Sequence, residues 1–74
     1  MDKELELRQE RAMVRVKRNH YISMAYSLNN STQFREICLK KVEELEQLME
    51  QLKIQIEEER KRKWQIITQM KKLL

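Results

Sequence analysis

Neither glycine nor proline occurs anywhere in this chain of 74 residues. Average usage, at about 7% and 5%, would supply roughly nine. These two residues punctuate turns, hairpins and loops. Only α-helix does without both over such a length, so the fold class read from the sequence is all-α. Charged residues make up 38% and aromatic ones only 5%. That mixture suits long helices with a narrow apolar seam and a solvated remainder.

The seam is plainest between Cys38 and Ile56. Apolar residues fall at Cys38, Val42, Leu45, Met49, Leu52 and Ile56, alternating steps of four and three. A repeat of 3.5 residues implies a coiled coil, in which two helices supercoil left-handedly. With Val42 at position a and Leu45 at d, the a-positions run Leu7, Val14, Tyr21, Leu28, Arg35, Val42, Met49, Ile56, Lys63 and Met70. Only Arg35 and Lys63 are charged. Apolar d-positions begin at Met24 and continue through Cys38, Leu45, Leu52, Ile66 and Leu73, whereas Lys3, Glu10 and Lys17 occupy d in the first part.

This division sets the expected organisation. Residues 1–28 form a helical segment with a basic face, 29–32 a kink or turn, and 33–74 the heptad segment. Asn29, Asn30, Ser31 and Thr32 prefer caps and turns, because their side chains bond to nearby backbone. Two arrangements follow. In one, a nearly continuous helix self-associates, and the unbroken phase of the a-seam from Tyr21 to Val42 favours it. In the other, the chain folds at 29–32 into a helical hairpin that brings Val14 near Leu48 and Met24 near Ile37. The preferred reading is the continuous helix in a parallel homodimer, since Glu6 would then face Arg11 and Lys41 would face Glu46 across the g–e positions. The expected oligomer interface is Leu28, Cys38, Val42, Leu45, Met49, Leu52, Ile56, Ile66, Met70 and Leu73.

Two further surfaces stand out. Arg8, Arg11, Arg15 and Arg18 recur at helical spacing and share one face. A basic helix face can lie on phosphates, but Glu4, Glu6 and Glu10 dilute its field. Trp64 lies off the seam with Ile67 and Lys71 on its own face, which suggests a second partner surface. The seam charges Glu59 and Lys63 either pair between chains or mark a locally open stretch.

Other functions are disfavoured. The net charge of +4 mixes both signs, which makes dedicated nucleic-acid binding unlike this chain. One cysteine, Cys38, and one histidine, His20, argue against a disulfide or metal site. No Gly-rich phosphate loop and no triad set appears, so no catalytic residue and no cofactor is expected. The start carries no apolar signal segment and no run is long enough to span a bilayer. An intracellular setting is therefore expected, in cytoplasm, cytoskeleton or nucleus. The functional expectation is a structural scaffold module for protein–protein association, within a longer protein. The alternatives are a small basic subunit of a nucleoprotein assembly and a regulatory hairpin docking on a larger partner.

Overall fold

A computed structural model describes residues 2–27 and 31–73, with the Leu73 side chain excepted. It contains two α-helices, α1 over Lys3–Ala25 and α2 over Thr32–Leu73, and no strand among the described residues. They pack against each other in an elongated body of 65 × 17 × 13 Å. The all-α, coiled-coil expectation holds, and of the two arrangements weighed the chain takes the hairpin. The continuous helix is corrected at Ala25, where α1 ends three residues before the expected Leu28.

The ends of both helices have local causes. Asp2 caps α1, its carboxylate accepting the Glu4 amide at 3.0 Å. Ser31 caps α2 by accepting the Phe34 amide at 3.2 Å, which satisfies one of the orphan donors of a first turn. The last turn of α1 carries no basic residue of its own. Arg35 supplies one from the start of α2, donating through Nε to the Ala25 carbonyl at 3.0 Å. A cation at a helix C-terminus also opposes the negative end of the helix dipole. Arg35, one of the two charged a-positions, thus bonds to the end of α1. Of the suspected turn, Asn29 and Asn30 lie outside the described residues, as does Leu28.

Leu7 and Val14 of α1 pack with Leu45, Met49, Leu52 and Ile56 of α2, and Tyr21 is partly buried against them. Nearer the turn, Ala25, Cys38 and Val42 are also buried. On α2 the buried stripe is the heptad seam read from the sequence. On α1 it differs: the a-positions Leu7, Val14 and Tyr21 alternate with Glu4, Arg11, Arg18 and Ala25, all at least half-covered, while Lys3, Glu10 and Lys17 at d stay exposed. Arginine serves at such an edge because its methylene stem covers apolar surface while its head reaches a polar group. Arg11 does so, donating through Nε to the Met49 carbonyl at 3.3 Å.

The open end is fixed by charge. Lys3 pairs with Glu59 at 3.8 Å, Arg60 with Glu4 at 3.5 Å, and Lys63 with Asp2 at 2.8 Å. Both seam charges, Glu59 and Lys63, therefore find partners on the other helix of the same chain. The Lys63 hydrogen bond holds the Asp2 carboxyl below its ordinary value, and Asp2 raises Lys63 in return.

Candidate functional site

The pairing at the open end defines where α1 stops covering α2. Asp2 and Lys3 meet Lys63 and Glu59, so residues 64–73 of α2 run on beyond the start of α1. At 1.5 Å per residue this overhang is about 15 Å long. Its described apolar side chains are uncovered. Trp64 is 65% exposed, Ile66 53%, Ile67 49% and Met70 61%. Ile66 and Met70 continue the heptad seam at d and a, so they are exposed only because α1 has ended. By contrast Leu52, in the same stripe, is 3% exposed.

The expected oligomer interface thus divides. Cys38, Val42, Leu45, Met49, Leu52 and Ile56 are buried in the hairpin. Ile66 and Met70 are open to a partner. Leu28 and the Leu73 side chain lie outside the described residues. Cys38 is a free thiol, 2% exposed, placed as a small apolar filler.

The basic face is also rearranged. Arg8, Arg11 and Arg15 line a groove along one flank of the hairpin with Ala12, and α2 contributes Lys53, Ile56, Glu57 and Arg60 to its other wall. Arg18 lies apart from this groove and bonds to the Asn19 side chain at 3.1 Å. Glu4 accepts ion pairs from both Arg8, at 3.3 Å, and Arg60. Arg15 and Lys53 form no ion pair among the described residues. The groove continues onto the overhang, where Glu4, Arg60, Lys63, Trp64, Ile67 and Lys71 line a shallow depression. Arg60 belongs to both parts. On α2 the face reads Lys53, Arg60, Trp64, Ile67, Lys71, in steps of seven, four, three and four.

The sequence brought out Arg8, Arg11, Arg15, Trp64 and Ile67 as two separate surfaces. The hairpin joins them into one. Lys53 and Arg60 were missed because they belong to this surface only once the register of the two helices is known. A signal did exist: the steps from Lys53 to Lys71 form a second helical face beside the seam.

Chemically this is a binding surface. Among the described residues no group of three or more His, Cys, Asp or Glu side chains is placed to hold a metal ion. No described helix is long and apolar enough to cross a membrane. Fold and surface together define an antiparallel two-helix coiled-coil hairpin with one helix overhanging. Comparison with protein-family models, curated proteins and solved structures gives no match.

Proposed function

We propose that this chain is a structural coiled-coil module for protein–protein association, self-contained as a hairpin and engaging its partner through the overhanging end of α2. The observation that carries the reading is the abrupt change in cover along a single stripe. Leu45, Met49, Leu52 and Ile56 are buried by α1, while Ile66 and Met70, in the same register, are bare beside Trp64 and Ile67. Contiguous exposed apolar surface of this kind marks interaction sites, and Trp is prominent among residues that dominate binding energy.

A homodimer through the heptad seam is the second reading, favoured by the unbroken a-seam phase. It competes directly with the hairpin, because it needs the Cys38–Ile56 stripe that α1 now covers. Two chains would form it by displacing α1. The two readings separate by mass action. The hairpin should sediment as a monomer, with a melting temperature unchanged over a hundredfold dilution; a melting temperature that rises with concentration would restore the dimer.

Association itself is tested with the whole tagged chain in its source cells. Partner recovery should survive nuclease and be lost in a variant carrying Trp64→Ala, Ile66→Ala, Ile67→Ala and Met70→Ala. Equal recovery by parent and variant, or recovery abolished by nuclease, would refute the reading.

A further inference from the structure

We propose that the flank groove and overhang bind an acidic amphipathic helix of another protein, laid beside α1 and α2 as a third helix. This rests on the reading of the chain as an association module and names the partner's chemistry. The surface has the two properties such a helix would need. Its floor is apolar, made of Ala12 and Ile56 in the groove and Trp64 and Ile67 on the overhang. Ala12 adds little bulk, so a helix can approach α1 closely. Its walls are cationic, from Arg8, Arg15, Lys53, Arg60 and Lys71, against the carboxylates of Glu4 and Glu57. Arg15 and Lys53 have no anion of their own. From Lys53 to Lys71 the face extends about 27 Å, the length of a helix of roughly 18 residues. Anchors spaced at three, four and seven residues are how an amphipathic helix is read in a groove.

Charge excludes a second copy's tail as the occupant. From residue 60 to the end the chain carries Arg60, Lys61, Arg62, Lys63, Lys71 and Lys72 and no acidic residue. Laid in the groove of another copy, this tail would set cations against Arg8 and Arg15. The chain does hold an acidic amphipathic stretch, rich in Glu from Glu43 to Glu59. Its apolar stripe is already buried against α1, so it is not on offer while the hairpin is closed. A nucleic acid would meet the cations but has no aliphatic stripe to cover Ile56 and Ile67. A flat anionic membrane would rest on the two walls of the groove and leave its floor at Ala12 and Ile56 unfilled.

Trp64 is the only tryptophan, so its fluorescence reports on the site in the intact chain. The probe is a synthetic helix of roughly five turns, with Leu along one stripe and Glu flanking it. Four comparisons accompany it: a peptide of identical composition with the Leu stripe scattered, a single-stranded oligonucleotide, vesicles of mixed phosphatidylcholine and phosphatidylserine, and sedimentation of the free chain. The expected result is a saturable blue shift of Trp64 with the striped peptide, a 1:1 complex, and affinity that falls as salt rises. The variant Arg15→Glu with Lys53→Glu should bind at least about tenfold more weakly, because rim charges that attracted the ligand now repel it. Ile67→Ala, on the overhang and outside the hairpin core, should weaken binding with circular dichroism unchanged, and stands in if the double variant fails to fold. No shift with the striped peptide, or an equal or tighter response to the scattered peptide, the oligonucleotide or the vesicles, overturns the proposal. If cellular partners still depend on the overhang while the acidic helix fails to bind, only this inference falls; if partner recovery ignores the overhang, the association reading falls with it.

Discussion

The covered and uncovered lengths of α2 carry the same heptad pattern and meet opposite fates. Between Cys38 and Ile56 the a and d side chains are buried; at Ile66 and Met70 they are more than half exposed. Sequence periodicity therefore states which face of a helix wants cover. It does not state what supplies the cover. That depends on how far the other helix reaches, and α1 has 23 residues against the 42 of α2.

The sharpest way to break this contrast is to truncate one large side chain in each length. Leu52→Ala should cost about 2–5 kcal/mol, because a buried leucine leaves a cavity as well as its transfer energy. Trp64→Ala should change the stability of the isolated chain by no more than about 0.5 kcal/mol, the usual range for an exposed position. Denaturant unfolding followed by circular dichroism measures both. Similar losses for the two would mean that the overhang is covered in solution and that the two lengths of α2 do not differ. Leu45→Ala should follow Leu52→Ala, and Val14→Ala should also destabilise, since Val14 is the other wall of the same core. That outcome differs from a chain held together by residues 35–74 alone, in which Val14 would be nearly neutral.

A smaller effect is expected at the turn. Arg35→Met keeps the stem and removes the donor to Ala25, for a loss of about 1 kcal/mol, typical of a hydrogen bond that is only partly buried. Hydrogen exchange at the last amides of α1 should rise in this variant more than exchange in the middle of α2.

The smallest effect concerns the clasp at the open end. Asp2→Asn retains a capping side chain and removes the charge facing Lys63. The Asp2 carboxyl is held below its ordinary value, so its contribution is present above about pH 4 and is lost as pH falls through the lowered value. Lys63 is raised, so its contribution is present below about pH 10 and is lost as pH rises through the raised value. The variant should thus melt slightly below the parent at neutral pH and match it in strong acid. A difference that persists in acid would show that the loss does not come from the Asp2 charge. Lys63→Leu should likewise give up the clasp; the gain in stability expected of an apolar residue at a seam position is absent here, because this position faces Asp2 at the very end of α1.

The heptad seam of α2 and the all-helical fold were legible in the sequence because both rest on local periodicity and composition. The hairpin register was only roughly legible once a turn was allowed: Val14 was expected near Leu48, but Leu48 is exposed and Val14 packs with its neighbours on the seam, Leu45 and Met49. What could not be read was the choice between turn and continuous helix. The contact from Arg35 that marks the turn needs the Ala25 carbonyl ten residues back in the chain, which periodicity does not reveal. The partition of α1 was also hidden. A search for apolar a and d residues passes over a stripe in which Arg11 and Arg18 take the alternate places, because an arginine is scored by its charge and works here through its stem. The basic groove was half legible for the same reason: three arginines come from one helix, and their complement comes from the other.

The bond from Arg35 to the Ala25 carbonyl has a kinetic consequence. It joins residues ten apart, whereas the Arg11 contact to Met49 spans 38. Closing the shorter loop costs roughly 1 kcal/mol less chain entropy, so the turn is the cheapest place for the two helices to meet first. From there each added layer, Tyr21, then Val14, then Leu7, extends an existing contact. Folding should therefore run as a zipper from turn to open end, with fast kinetics typical of mostly local contacts. Opening runs in reverse. The layer that frays first, around Asp2 and Lys63, is the one beside the overhang, and a helix seated there would splint the loose end of the zipper and slow unfolding of the whole chain.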